Sequence, residues 1–397
     1  MTTHILQPVG LISQEMDFRA LPPLTLYIHI PWCVRKCPYC DFNSHEVRGP
    51  LPEQEYVAAL IKDLEQSLPL VWGRKVYTVF FGGGTPSLLS GESMEEILRN
   101  VRMLLPLHLG AEVTLEANPG TVEAGRFAAY REAGVNRLSL GIQSFKDTHL
   151  QALGRIHSAD EARRAIESAQ RHFGNINLDL MYALPHQTVD EALQDIQAAL
   201  SFAPQHLSCY HLTLEPNTLF YHDPPPLPDD DASGEMQQRI EDLLAGHGYQ
   251  HYETSAFAQP GMRSRHNLNY WMFGDYLGIG AGAHSKLSFP GKVIRQSRYK
   301  QPQAYLQQVA AGAPIQTENA VRMDELGFEF MMNALRLNEG FDSMLFQERT
   351  SLPLLSIQRE LSEAEQRGLI IRDQRRIAPT RMGQRFLNDL LGIFLHR

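Results

Sequence analysis

The chain has 397 residues, 43% of them hydrophobic and 20% charged, enough for one large core plus a smaller module or for two domains. Its net charge of −9 argues against a general nucleic-acid binder held by phosphate contacts. With only four cysteines no disulfide framework is expected, and a reducing, cytoplasmic setting is implied.

The N-terminal extension is assigned to residues 1–22. Residues 1–21 lack a continuous apolar segment behind a basic start, so no secretory signal is expected. No stretch of about 18 apolar residues follows, which predicts no transmembrane segment and leaves peripheral membrane contact open.

The first strand is expected at Leu24–Ile30. It leads into Pro31-Trp32-Cys33, with Cys37, Pro38, Tyr39 and Cys40 next, a C-x3-C-x2-C spacing. Three soft thiolates on one short loop suit an iron–sulfur cluster. A 4Fe–4S cubane takes an external ligand at each iron, so three thiolates leave one iron open for chemistry. Zinc is the rival reading, yet structural zinc is usually closed by four protein ligands, and no nearby Cys or Cys-His pair supplies the fourth. His29 and His45 flank the loop, but neither competes as a ligand with three thiolates at hand.

Further apolar runs fall at Val76–Phe81, Glu112–Ala117, Arg137–Gly141, Asn177–Met181 and His206–Leu214. Amphipathic stretches separate them: Gln54–Leu68, Ser93–Leu104, Val122–Ala133, Ser158–Arg171 and Val189–Phe202. This alternation indicates parallel βαβ units. Six units fall short of a closed eight-fold barrel, so residues 23–220 are expected to form an α/β, partial (β/α)6 TIM-like barrel. Glycine and polar residues gather at the carboxyl ends of the strands: Gly82-Gly83-Gly84-Thr85-Pro86-Ser87, Glu116-Ala117-Asn118-Pro119, Gln143-Ser144 and Glu215-Pro216-Asn217, with Asp179 inside the fifth strand. In βα barrels that rim carries the active site. Cys209, in an apolar run, reads as a small buried hydrophobe.

Residues 221–315 open on a Pro-rich crossover, Asp223–Asp231, too stiff and solvated to join a sheet. A helix over Gly234–Ala245 and a strand at His251–Ser255 are expected, then His266-Asn267-Leu268-Asn269-Tyr270-Trp271 and a segment rich in glycine and aromatics, Gly274–Ser285. Residues 316–397 read as a small C-terminal helical, winged-helix-like domain. Its helices are expected at Glu325–Leu335, Leu354–Arg367 and Thr380–Phe394, around a hairpin of Leu369–Arg372 and Arg376–Ala378. Its charges nearly balance, whereas a DNA-reading wing is markedly basic, so no nucleic-acid partner is expected.

An open cluster iron can be chelated by the amino and carboxylate groups of S-adenosylmethionine. One electron into the sulfonium then breaks a carbon–sulfur bond and yields a 5′-deoxyadenosyl radical, cofactor chemistry that the protein positions and insulates. Cys33-x3-Cys37-x2-Cys40, with an aromatic before the last cysteine, resembles the signature of radical S-adenosylmethionine enzymes. Gly82–Pro86 resembles their GGE-like motif, where glycine lets the main chain approach a ligand closely, although alone it could be just a turn. Tyr-Ile-His-Ile-Pro-Trp-Cys, Gly-Gly-Gly-Thr-Pro-Ser, Glu-Ala-Asn-Pro-Gly and Gly-Ile-Gln-Ser-Phe are similar to motifs of the oxygen-independent coproporphyrinogen III oxidase family. That resemblance runs from the first strand to the C terminus. It implies S-adenosylmethionine contacts at Tyr27, Tyr39, Gly83, Gly84, Thr85, Glu116, Gln143, Arg155 and Asp179. The residue types fit: carboxylates for ribose hydroxyls or an ammonium, Arg for a carboxylate. The plainer alternatives are Arg155 covering a helix end and Asp179 as a buried structural acceptor.

The chain departs from the decarboxylases at Phe42, where they carry a further cysteine, and in having only a short segment before the first strand. Both departures resemble the HemW-type haem chaperones of the same family, as do Cys37-Pro-Tyr-Cys40-Asp-Phe-Asn-Ser and His266-Asn-Leu-Asn-Tyr-Trp271. The resemblance implies haem as cargo, apo-haemoproteins as recipients and a low-potential electron donor. It makes His266 the haem-binding residue, since an imidazole can ligate haem iron, with Tyr270 and Trp271 packing on the macrocycle. A hydrogen-bonded core histidine is the alternative. The expected function is haem chaperone; the alternative is oxidative decarboxylation of coproporphyrinogen III.

Overall fold

The computed structural model describes residues 16–120 and 125–395. Residues 1–15 of the expected extension and 122–124 of the expected third helix lie outside the described residues. Six strands run parallel: β1 (Leu24–Ile30), β2 (Val76–Gly83), β3 (Leu107–Ala117), β4 (Arg137–Gln143), β5 (Ile176–Tyr182) and β6 (His206–His211). Between them lie α1 (Glu53–Val71), α2 (Gly91–Leu104), α3 (Phe127–Ala133), α4 (Ala159–His172) and α5 (Val189–Leu200). The expected βα alternation is therefore present, although the sixth strand stops at His211 rather than Leu214.

Side chains alternate across each strand, and both faces are covered. On β1, Leu24, Leu26, Ile28 and Ile30 enter the core, while Tyr27 and His29 line an interior cavity. The same parity places Glu116, Arg137, Ser139, Asn177, Asp179 and Ser208 on the cavity wall. The strands thus bury apolar residues on one face and collect polar ones on the other. Capping boxes at Ser158–Glu161 and Thr188–Glu191 start α4 and α5 by satisfying orphan amide donors.

The sheet extends past the barrel at both edges. After α6 (Asp230–Gly246), β7 (Gln250–Glu253) and β8 (Ala256–Ala258) add antiparallel strands beyond β6. After α7 (Arg265–Trp271), β9 (Asp275–Ile279) runs parallel to β1. Strands β10 (His284–Phe289), β11 (Lys292–Arg298) and β12 (Ile315–Ala320) follow antiparallel, completing one 12-stranded sheet in the order β12-β11-β10-β9-β1-β2-β3-β4-β5-β6-β8-β7. The seventh parallel strand, β9, goes beyond the six units expected. Its five residues include Gly278, where a Cβ would lie 2.1 Å from the His284 carbonyl oxygen, so backbone approach rather than a side-chain pattern defines it.

The C-terminal segment opens with α8 (Met323–Ala334) and carries a small antiparallel sheet of Phe341–Asp342, Arg376–Pro379 and Ile370–Arg372. The expected last helix is broken at Phe386 into Arg381–Arg385 and Leu387–Phe394. The expected Leu354–Arg367 helix begins as a 3-10 turn over Leu354–Ile357. This segment has its own apolar cluster, which also takes in Phe273 just after α7. Helix α7 therefore lies between the barrel and the C-terminal core. No described helix is long and apolar enough to cross a membrane.

Candidate functional site

The three clustered cysteines sit where β1 ends. Trp32–Cys33 pairs with His45–Glu46, and the Cys40 amide donates to the Cys37 carbonyl at 3.1 Å, so the loop folds back on itself. All three thiols are free and partly exposed. Burial pushes the Cys33 and Cys40 thiols above their ordinary range, against hydrogen bonds from Thr85 to Cys33 and from Ser44 to Cys40. Thiolates there need a cationic centre to balance them, which cluster irons provide. Among the described residues no three His, Cys, Asp or Glu side chains converge to hold a single metal ion. A cubane, with its irons at separate corners, wants its thiolates spread around it. The donor set fits a 4Fe–4S cluster held by Cys33, Cys37 and Cys40.

The triglycine loop leans on this loop. The Gly84 amide donates to the Ile30 carbonyl and the Thr85 amide to the Trp32 carbonyl, both at 2.7 Å. Gly83 has φ +114°, and a Cβ on it would sit 2.6 Å from the His29 ring; one on Gly84 would sit 2.5 Å from the Trp32 carbonyl oxygen. Only glycine fits this contact. Asn118 ties the next loops together: its amide donates to the Thr85 hydroxyl at 3.0 Å and its oxygen accepts from Arg155 at 2.8 Å. Arg155 also donates to the Gly141 carbonyl at 2.8 Å and reaches Cys37 Sγ at 3.8 Å. Tyr39 contacts both Cys37 and Arg155, and burial holds its phenol protonated. Gln143 ends β4 with φ +67°, a conformation non-glycine residues seldom adopt.

Tyr27, Gly83, Glu116, Asp179 and His266 line one cavity of about 840 Å³, together with Cys40. Arg155 borders a second space of about 360 Å³ with Cys37 and Asn118. The predicted residues thus do not share one space: Cys37 and Arg155 border the second, and Cys33, Tyr39, Gly84, Thr85 and Gln143 line neither. Glu116 is pushed up to about 8, by burial first and by neighbouring Asp179 second, so its carboxyl is protonated at neutral pH. Asp179 accepts from Ser139 at 2.8 Å and from Asn177 at 2.9 Å, and burial raises it too.

His266 lies at the far end of the cavity, on α7, and is 1% exposed. Its Nδ1 meets the Thr78 hydroxyl at 2.6 Å and its Nε2 the Tyr270 hydroxyl at 3.3 Å. Its ring stacks on Phe80, centroids 4.8 Å apart. Burial, and then the charge of Arg137, lowers it to about 3, so the imidazole is neutral. The glycine-rich stretch that reads as featureless in sequence supplies Tyr276, Gly282 and His284 to the same walls. Sequence reasoning also passed over Asn118, although it stands inside the quoted Glu-Ala-Asn-Pro motif, and Arg137, whose position at the start of a strand gives no signal.

A thiol-bearing loop at the mouth of a partial βα barrel, over a polar interior, defines a radical S-adenosylmethionine protein. The Radical SAM superfamily model matches residues 27–199, and the HemN C-terminal domain model residues 322–386. Coproporphyrinogen III oxidase (HemN) from Escherichia coli shares the fold, with a TM-score of 0.80 at 24% identity over 94% of this chain and 90% of that one. "Heme chaperone HemW" of Escherichia coli (strain K12) is 49% identical, covering 94% of this chain and 99% of its own length. The protein of the same name from Bacillus subtilis (strain 168) is 34% identical, with 93% and 98% covered. "Radical S-adenosyl methionine domain-containing protein 1, mitochondrial" of Bos taurus is 36% identical, with 94% and 87% covered. The chain belongs to the HemW family of radical SAM proteins. Membership implies a 4Fe–4S cluster and S-adenosylmethionine.

Proposed function

We propose that this chain is a haem chaperone, which binds haem and passes it to apo-haemoproteins in the cytoplasm. The observation that carries the reading is a cavity of about 840 Å³ lined from Cys40 to His266, with Tyr27, Phe80, Tyr270, Trp271 and Tyr276 among its walls. Its size and mixed lining suit a flat, largely apolar ligand with a few polar edges. The near full-length similarity to proteins named heme chaperones supports the same reading. Cys33, Cys37 and Cys40 would hold the cluster, and three thiolates would leave it a position for S-adenosylmethionine. When bound, the cluster supplies low-potential electron transfer to that cofactor, fed by a separate electron donor.

The chain's own residues set the environment. Gly83, Gly84 and Thr85 present main chain at the cluster loop, and Tyr27, Tyr39, Glu116, Gln143, Arg155 and Asp179 complete the S-adenosylmethionine site. Protonated Glu116 donates a hydrogen bond where a carboxylate would only accept. Neutral His266 has the protonation state that would ligate haem iron, and its Nε2 now meets the Tyr270 hydroxyl at 3.3 Å.

Anaerobic titration of cluster-loaded protein with haem, followed by visible absorption beside His266→Ala, tests this. The expected result is saturable binding near one haem per chain, weakened by the substitution at unchanged cluster absorption. Unsaturable or absent binding overturns the reading.

A further inference from the structure

The chain pairs its other deeply buried cations. Arg298 meets Asp63 at 3.1 Å and Lys286 meets Asp275 at 3.0 Å, all four side chains essentially inaccessible. Arg137 is the exception. It opens β4, is 2% exposed and lines the main cavity. Its Nε has no hydrogen-bond partner. Its charge acts on Glu116 and Asp179 from a distance, and burial outweighs it at both carboxyls. A buried guanidinium left this way costs several kcal/mol unless something answers it, on the order of the penalty for any unpaired buried ion.

Two further buried groups, on Thr114 and Trp271, lack partners among the described residues. Thr114 faces Arg137 directly across the β3–β4 ladder, and its buried hydroxyl also lacks a partner. On the cavity wall, the indole Nε1 of Trp271 is a third buried donor without an acceptor. The other lysine and arginine side chains lining this cavity, Lys36 and Lys300, are exposed to solvent. The interior thus keeps one buried guanidinium whose Nε finds no acceptor among the described residues, with an unpartnered Thr114 hydroxyl across the ladder.

We propose that Arg137 is a specificity-determining residue that receives a carboxylate of the cargo, with Thr114 beside it, so that haem enters with a propionate leading into the barrel. This rests on the haem-chaperone reading and adds which edge of the ligand the protein reads. The guanidinium fork matches a carboxylate geometrically, and the deep burial of Arg137 makes a missing partner expensive. A ligand whose carboxylates are esterified offers Arg137 a neutral carbonyl acceptor at most, without the charge or the two-pronged geometry.

The test uses cluster-loaded protein and two probes, haem and haem dimethyl ester, titrated anaerobically by visible absorption. Wild type is expected to bind haem about tenfold or more tighter than the diester, the scale of a charge-assisted hydrogen bond. Arg137→Gln is expected to bind both equally, near the wild-type affinity for the diester, and Arg137→Lys to recover part of the preference. Saturable wild-type binding without preference overturns the Arg137 inference and leaves the chaperone reading standing. A preference that survives in Arg137→Gln also overturns it. No saturable binding of either probe overturns both readings. The wild-type comparison decides the carboxylate question even where Arg137→Gln fails to fold.

Discussion

His266 is a buried imidazole whose two nitrogens both have hydroxyl partners, beside a guanidinium that repels its protonated form. Its pKa in the fold is about 3, lowered from 6.5. The unfolded chain therefore takes up a proton between these values that the folded chain refuses. Stability from this group is fully present above pH 6.5 and is lost as pH falls toward 3. Between pH 7 and pH 5 the loss is about 2 kcal/mol, at about 1.4 kcal/mol per pH unit below the unfolded value. Urea unfolding of wild type and His266→Gln at both pH values checks it: the variant should lose about 2 kcal/mol less than wild type. Equal losses would mean that His266 protonates in the folded protein. The same neutrality is the protonation state that the proposed iron ligation requires, so one environment sets both the acid sensitivity and the ligating form.

At the scale of elements, what sequence made legible was whatever has a period or a punctuation mark. The βα alternation, the thiol spacing and the glycine run after β2 all have one, and each falls at the expected place. What it hid lacks a local signal. Strand β9 pairs with β1 across some 250 residues of chain, about the span from Thr25 to Asp275. Arg137 looks like the polar start of a strand, and only the folded wall shows it buried with an unpartnered Nε. The Asp63–Arg298 pair is another such case: it welds α1 to β11 inside the core, with Tyr305 donating to Asp63 at 2.9 Å and Arg298 to Ser67 at 2.8 Å. Breaking such a pair from one side leaves a charge buried alone. Asp63→Ala should cost about 3–5 kcal/mol in urea unfolding. Asp63→Leu combined with Arg298→Met should recover most of it, because an apolar pair needs no desolvation. A loss below about 1 kcal/mol in the single variant would mean that water reaches Arg298.

At the scale of the molecule, the C-terminal segment packs behind α7. Arg336 lies just past the end of α8, with its guanidinium 4.3 Å from the Trp271 ring centre and 3.7 Å from the buried Glu253 carboxylate. The Thr254 amide donates to the Arg336 carbonyl, and the Asn338 amide to the Tyr252 carbonyl. One arginine thus holds the rear of the cavity wall against a segment with its own core. Burial raises Glu253 and Arg336 opposes that rise, so removing the arginine drives the carboxyl further toward its neutral form. Arg336→Ala should lower stability by about 1–3 kcal/mol through the lost cation–π contact and the unpaired carboxylate. It should also weaken haem binding several-fold by releasing Trp271, while iron content per chain stays at the wild-type value. Unfolding, haem titration and iron analysis on one preparation separate these effects. A destabilised variant that binds haem at wild-type affinity would show that the C-terminal segment supports the fold without shaping the cavity. A loss of iron in parallel with haem would mean that α7 and the cluster loop yield together as one unit.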